Sequence, residues 1–458
     1  MNWQHPRDEI LATMERIYRS RMTTTSGGNL SIREENGDVW ITPARVDKGS
    51  LRRDDIILVR ADGSADGKHR PSSELPFHQA IYAARPDVRA IVHAHPVALV
   101  AFSICRRVPD TRLLHQSWRI CGEVGFAPYA LPGSPALGKN IAETFARGFD
   151  CVVLENHGVV TAGTSLQQAF ERFETLEFAA KTMIKGSQLG EVRCLDEAAL
   201  KNQPEASARA SAPSDDDRDR SLEKRSPSLT LRVTLGSARS LVTSEEKDLR
   251  RQICEFVRRS ERQQLMISTE GALSARLGDD SFLITPHGVD RSRVEPEGLV
   301  LVENGQPEPG KTPSSSTAGH RAIYQRQSEV QSIINAYPVN ATAFSVTATK
   351  LDSRTIPESF ILLRDVQRSP FGARVGDGRD LAERMTLSQP IMLLDNDGVM
   401  VVGSSVLDAF DRLEVLEATA EAMIDSRPLG PLVPMSDAVI DELCQAFFGP
   451  GGANDSAK

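Results

Sequence analysis

The chain has 458 residues, which suggests two or three domains rather than one. Hydrophobic residues make up 40% and charged residues 25%, an ordinary globular balance. A formal net charge of −8 leaves no basic footprint, so nucleic acid is not an expected partner.

No stretch approaches the roughly 18 consecutive apolar residues of a membrane span, so no membrane partner is expected. The opening MNWQHPRDEILATMERIY is acidic and lacks an apolar core, and does not read as a signal peptide. Six scattered cysteines, Cys105, Cys121, Cys151, Cys194, Cys254 and Cys444, form no C-x-x-C pair. They read as buried thiols of a cytoplasmic protein, not as a disulfide or zinc framework.

Along the chain, RDEILATMERIYRSRM places Ile10, Leu11, Met14, Ile17 and Tyr18 at the spacing of an amphipathic helix. SGGNLS (26–31) is a small-residue turn whose backbone N–H groups could cradle an anion. DIILV, AIVHAH and CVVLEN are short β-branched runs that predict strands. SSELPFHQAIYAAR and SLQQAFERFETLEFAAKTMI predict helices, the second begun by a Ser or Thr cap. PSSE sets Ser72 and Ser73 where the first of these begins, adding hydroxyls to the positive end of a helix dipole. Each such feature alone is also an ordinary loop or cap. KNQPEASARASAPSDDDRDRSLEKRSPS has almost no large apolar side chains and predicts a flexible linker over 201–240. LTLRVTL after it alternates and predicts a strand.

The two halves are copies. VRAIVHAHPVALVAFS (88–103) and VQSIINAYPVNATAFS (330–345) share eight of sixteen residues. Ile41 of WITPARVD falls on Ile284 of LITPHGVD, 243 positions on, and Asn156 of LENHG falls on Asn396 of LDNDG, 240 positions on. So small a drift means one fold present twice, over 1–200 and 241–458, far longer than a solenoid repeat. Alternating helices and strands predict an α/β layered domain.

His93 and His95, two apart at a strand end, share a face, and His157 follows another strand at a Gly-containing turn. With Glu74 they would make a zinc-type set, since neutral imidazole suits a borderline-soft divalent ion. An H-x-H pair alone equally describes two surface or core histidines. The second copy carries Asn335, Tyr337, Asp397 and Ser316 at these four positions, while their neighbours match. Such correlated loss points to one shared job, with drift within a single chain as the alternative. His78 is retained as His320 and reads as structural.

Together GGNLS, ITP, PSSE, HAHP and ENHG resemble the class II aldolase/adducin family, fully over about 7–190 and in degenerate form over about 244–427. The resemblance implies a three-layer α/β/α sandwich around a largely antiparallel sheet. It implies a divalent metal, most often Zn2+, held by His93, His95 and His157, with Glu74 as acid/base, its pKa moved toward neutrality. Gly28, Asn29, Ser72 and Ser73 match the family's phosphate cradle. The implied activity is metal-dependent lyase chemistry on a small hydroxyketone sugar phosphate or related hydroxy acid, with cleavage of a carbon–carbon bond through a stabilised enediolate. Decarboxylation or epimerisation would use the same logic, and an adducin-like assembly role is the non-enzymatic alternative. Two positions depart from the pattern. Ala44-Arg45 stands where phosphate-binding members have Thr-Gly or Ser-Gly, so Arg45 either grips a substrate anion or makes a surface salt bridge. No tyrosine lies in DTRLLHQSW, where a proton donor is expected, although His115 does. Two chains are expected to pair as a homodimer with four domains, the second copy keeping packing surfaces while losing its ligands. The rival is two independent domains on a loose tether.

Overall fold

The structure is a computed structural model that describes residues 5–201, 242–374 and 378–448. Apart from Lys201, the expected linker lies outside the described residues, as does the strand expected over LTLRVTL.

The first domain runs α1 (Pro6–Arg19), β1 (Asn29–Arg33), β2 (Val39–Ile41), β3 (Ile57–Val59), β4 (Ala65–Asp66), α2 (Leu75–Ala84), β5 (Ala90–Ala94) and α3 (Val97–Ile104). It continues through α4 (His115–Cys121), β6 (Val124–Ala127), α5 (Pro135–Ala146), β7 (Cys151–Leu154), β8 (Val159–Gly163), α6 (Leu166–Leu189) and a short α7 (Glu197–Lys201). The strands lie in the order β4-β3-β2-β1-β5-β8-β7-β6, antiparallel throughout except between β6 and β7. On central β5, Ala90, Val92 and Ala94 face the layer of α1, α3 and α6, while Ile91 faces that of α2 and α5. Period two therefore sends His93 to the α2 side. α1 buries Ile10, Met14 and Ile17, the stripe expected from its sequence. α6 begins at Ser165, whose Oγ accepts from the N–H of Gln168 at 3.2 Å.

The second domain repeats this with α8 (Ser244–Arg262), β9 (Ala272–Gly278), β10 (Ser281–Ile284), β11 (Val300–Glu303), β12 (Gln306–Pro307), α9 (Thr317–Arg326), β13 (Ser332–Ala336) and α10 (Val339–Ser345). α11 (Pro357–Leu363), β14 (Gln367–Ser369), α12 (Arg379–Arg384), β15 (Ile391–Leu394), β16 (Gly398–Gly403), α13 (Val406–Asp425) and α14 (Asp437–Phe448) complete it. Its sheet order, β12-β11-β10-β9-β13-β16-β15-β14, matches the first strand for strand.

The domains are docked on each other. Arg16 of α1 is buried with Glu174 at 2.9 Å, Glu261 at 3.0 Å and Asp290 at 2.6 Å, the last two from the second domain. Glu174 also accepts from the N–H and Oγ of Ser268. Leu113, Leu114 and Phe178 pack with Ile267, Tyr337 and Val346 in one apolar cluster. The Asn396 amide donates to the carbonyls of Leu113 and Arg193, at 2.7 and 2.8 Å.

The cysteines correct one expectation. Cys121, Cys151 and Cys254 are buried, but Cys105, at the end of α3, and Cys194, on the segment after α6, are exposed. Among the described residues no helix is long and apolar enough to cross a membrane.

Candidate metal centre

Three backbone features bring the histidines together. β5 pairs with β1 so that His93 lies opposite Asn29, and with β8 so that His93 lies opposite Val160. His95 stands just past the strand end. The ENHG turn then carries His157 back over both, with Asn156 at φ +53°. The turn is pinned by Ser103, whose Oγ donates to the Leu154 carbonyl at 2.6 Å and accepts from the His157 N–H at 3.0 Å. Two glycines clear the space. A Cβ on Gly28, at φ +72°, would stand 2.7 Å from the His93 carbonyl, and one on Gly158 would stand 2.6 Å from the Ala94 carbonyl.

One ligating atom from each of the three imidazoles lies within 4.8 Å of the others. His93 Nδ1 donates to the Val159 carbonyl at 2.9 Å, which fixes its tautomer and turns Nε2 inward. That Nε2 is 3.1 Å from His95 Nε2 and 3.2 Å from Glu74 Oε2. His157 Nε2 lies 3.4 Å from Glu74 Oε1, a buried oxygen with no hydrogen bond. Inward-facing imidazole nitrogens around a carboxylate oxygen left without a donor fit a divalent cation. Burial, then the neighbouring imidazoles, push the pKa of His95 down to about 3 and that of His157 down to about 4.

Glu74 precedes α2 and is buried. Burial raises its pKa, but His93, His157 and the Asn29 amide more than offset this, so the carboxyl sits below its usual range. This reverses the expected shift toward neutrality. That expectation came from the acid/base role alone and did not include the donors that face the group.

The expected anion cradle divides. Gly28 lines the backbone beside His93. Asn29 is buried, with its Nδ2 donating to Glu74 Oε2 at 2.8 Å and its Oδ1 bonded to His78 Nε2. Ser72 is buried, its Oγ accepting from the Glu74 N–H at 3.3 Å, whereas Ser73 is exposed. Arg45 is exposed with φ +57°, where its counterpart Gly288 has φ +66°. An arginine in that left-handed conformation is held at a cost of about 1–2 kcal/mol. No ion pair of the described residues includes it, so the surface-salt-bridge alternative has no partner here. His115 lies away from this site, its ring 6.2 Å from that of Phe371 in the second domain. His78 is fully buried, with Nδ1 bonded to Ser31 Oγ at 2.7 Å.

One residue escaped the sequence reading. Tyr129 is 55% exposed on the loop after β6. Its N–H donates to Glu155, two residues before His157, and Gly133 of the same loop lies against the Ser73 carbonyl. The loop therefore spans from ENHG to PSSE. Its signal was the APYALPGS stretch, a turn-rich run holding one large aromatic.

The second domain fills the equivalent place differently. The Arg374 guanidinium donates to both oxygens of Asp397, at 2.8 and 2.9 Å, and lies 3.3 Å from Ser316 Oγ. Asp397 and Ser316 are the counterparts of His157 and Glu74. His320 bonds to Asn335, the counterpart of His93, because the counterpart of Asn29 is Ala272.

The model for the "Class II Aldolase and Adducin N-terminal domain" matches residues 8–184 and again 251–424. Curated relatives match over about one domain's length. A 5-deoxy-D-ribulose 1-phosphate aldolase of Bacillus thuringiensis serovar kurstaki is 31% identical, over 43% of this chain and 93% of its own. A 3-oxo-tetronate 4-phosphate decarboxylase of Haemophilus influenzae is 31% identical, over 38% and 84%. An L-fuculose phosphate aldolase of Methanocaldococcus jannaschii is 33% identical, over 38% and 92%. Among solved structures, an L-fuculose 1-phosphate aldolase matches with a TM-score of 0.40 at 27% identity, over 44% of this chain and 94% of that one. With its family model matched in both halves, the chain belongs to the class II aldolase and adducin N-terminal domain family twice over.

Proposed function

We propose that the first domain is a metal-dependent lyase that breaks a carbon–carbon bond in a small phosphorylated hydroxyketone or related hydroxy acid. The observation that carries this is the convergence of three imidazoles on a buried carboxylate with one oxygen unbonded. His93, His95 and His157 would hold a divalent ion, Zn2+ by the chemistry of three imidazoles. When bound, that ion supplies Lewis-acid polarisation of a carbonyl and a neighbouring hydroxyl oxygen.

The chain's own groups do the rest. Glu74 is kept as the carboxylate, so it can take the proton of the substrate hydroxyl as the carbon–carbon bond breaks to leave an aldehyde, and deliver that proton to the enediolate carbon. Asn29 holds Glu74 Oε2, leaving Oε1 for substrate or metal. Tyr129, exposed on the rim, is a hydroxyl available to relay the proton that the substrate hydroxyl gives up as it becomes the aldehyde carbonyl. Gly28 and Ser73 offer backbone and hydroxyl donors for an anion, and Arg45 a guanidinium for phosphate or carboxylate. Aldol cleavage and decarboxylation both leave electron density beside a carbonyl, and relatives named for each are about equally similar. The decarboxylase reading is therefore kept as the second.

A panel of hydroxyketone phosphates and phosphorylated 3-oxo acids, run with and without chelator, tests the assignment. Chelator-sensitive aldehyde release supports the aldolase reading, and carbon dioxide release the decarboxylase reading. A metal-loaded protein that turns over neither class, and exchanges no α-proton in deuterated water, overturns both.

A further inference from the structure

The turn that carries His157 is tied to two neighbouring segments by one carboxylate. Glu155 stands two residues before His157, and its side chain is only 14% exposed. Its Oε1 pairs with the Nε of Arg106, just past α3, at 2.6 Å. Its Oε2 accepts from the Tyr129 N–H at 2.9 Å. Both oxygens are therefore used, one for each segment. Arg106 reaches Glu155 from a left-handed backbone, φ +53°, which a residue other than glycine adopts only at a cost. Three residues earlier, Ser103 holds the Leu154 carbonyl and the His157 N–H. The far end of the Tyr129 loop lies against PSSE, where a Cβ on Gly133 would stand 3.1 Å from the Ser73 carbonyl. The loop is thus placed at both ends, and Glu155 joins it to the histidine turn.

The second domain shows which of these links a pocket without metal ligands gives up. Ala127 pairs with Leu154 and Ser369 with Leu394, so Tyr129 of APYA corresponds to Phe371 of SPFG. Phe371 keeps the ring and lacks the hydroxyl. Arg106 corresponds to Ala348, which has no guanidinium to offer. Glu155 corresponds to Asp395, one methylene shorter, which pairs with Arg368 of β14. The first domain has Phe126 in place of that arginine. The backbone beneath the two carboxylates is alike. Glu155 N–H donates to the Ala127 carbonyl at 2.9 Å, and Asp395 N–H to the Ser369 carbonyl at 3.0 Å. One starting point therefore has two destinations. Beside the metal ligands the carboxylate reaches the loop that carries a hydroxyl, and in the other copy it turns back to its neighbouring strand. Either arrangement would serve if the carboxylate only steadied the turn.

We propose that Glu155 is a positioning residue for the reaction, holding the Tyr129 loop at a fixed spacing from the turn that carries His157. This rests on the reading of Tyr129 as a proton relay. Tyr129 is 55% exposed, so packing alone does not fix it, and an N–H held by a charged acceptor is a strong restraint. Glu155 acts through Tyr129, by limiting where the relay hydroxyl can go. A misplacement of about 1 Å can cost about 10²-fold in rate.

Hydrogen exchange, metal analysis and kinetics on the full chain test this. Glu155→Ala is expected to speed amide exchange in the 128–134 segment by about 10–100-fold, the worth of a hydrogen bond to a charged group, with bound metal unchanged. On whichever phosphorylated hydroxyketone or 3-oxo acid the protein turns over, its kcat falls about ten-fold or more while KM barely moves. Glu155→Gln keeps an acceptor for the Tyr129 N–H and is expected to recover most of the protection and turnover. Tyr129→Phe lowers kcat about 10²-fold without altering exchange, and adding Glu155→Ala to it costs little more. A merely structural role would multiply the two losses. Unchanged exchange in Glu155→Ala, loss of its metal, or multiplied losses in the double variant would overturn the proposal. A Tyr129→Phe protein as active as the parent would instead overturn the relay reading. Exchange is read without substrate, so the two failures are distinct.

Discussion

The two equivalent pockets solve the same problem with opposite means. In the first domain Glu74 and three imidazoles enclose a space that fits an external cation. In the second, Arg374 brings a resident cation to Asp397 and Ser316. A buried carboxylate needs a positive partner in either case, because an unpaired buried charge costs several kcal/mol. What differs is whether the partner can leave and whether it has free positions for a substrate. A guanidinium held by both oxygens of Asp397 and by Ser316 offers none. Beneath both, the same scaffold persists: Ser31, His78 and Tyr82 in one, Ser274, His320 and Tyr324 in the other, with hydroxyl and ring atoms 2.7–2.8 Å apart.

The sharpest way to break this contrast is at the ligands. His93→Ala or His95→Ala is expected to remove bound metal and abolish activity together, since three protein ligands are the usual minimum of a catalytic zinc site. Asn335→Ala and Tyr337→Ala are expected to leave metal content unchanged. Elemental analysis of the four purified variants decides it, and metal loss from the second pair would place the ion elsewhere.

Next in size is Glu74→Gln, nearly isosteric, which keeps the fold and lowers turnover by about 10²–10⁴. Turnover within a few-fold of the parent would remove Glu74 from its role. On the other side of the comparison, Arg374→Met strands Asp397 and is expected to destabilise the second domain by about 3–5 kcal/mol in urea unfolding. Adding Asp397→Leu should recover most of that loss, as replacing both members of a buried pair often does. If the single variant is as stable as the parent, the resident cation is dispensable. The smallest effect concerns Arg45→Gly. Matching its counterpart Gly288, it should raise stability by about 0.5–1 kcal/mol by relieving the left-handed backbone, while raising KM for an anionic substrate. An unchanged KM would make Arg45 a bystander.

Much of this was legible in the sequence. The i, i+2 histidines and the ENHG turn are local, and the internal copy exposed the four ligand-set positions as a group. The sheet followed from short β-branched runs between amphipathic helices. Other features were hidden because they depend on contacts between distant segments. Nothing in SPFGAR marks Arg374 as reaching Asp397, and nothing in GGNLS shows Asn29 turned onto Glu74 rather than toward an anion. Arg16 and Arg259 read alike in sequence, yet one is buried with three carboxylates and the other lies half-exposed. The downward shift of Glu74 also needed its neighbours, not its burial, to be known.

The amide that satisfies the buried imidazole comes from β1 in the first domain, as Asn29, and from β13 in the second, as Asn335. That exchange makes converting the second pocket into the first a many-step change. Restoring a histidine at 335 would strip His320 of its acceptor, because Ala272 has no amide to take over, and would bring an imidazole toward the charge of Arg374. The reverse path needs changes at 272, 316, 335, 337, 374 and 397, and the first ones taken alone are harmful. Selection acting one substitution at a time cannot easily retrace it. The second pocket is thus interlocked, its residues satisfied only as a set.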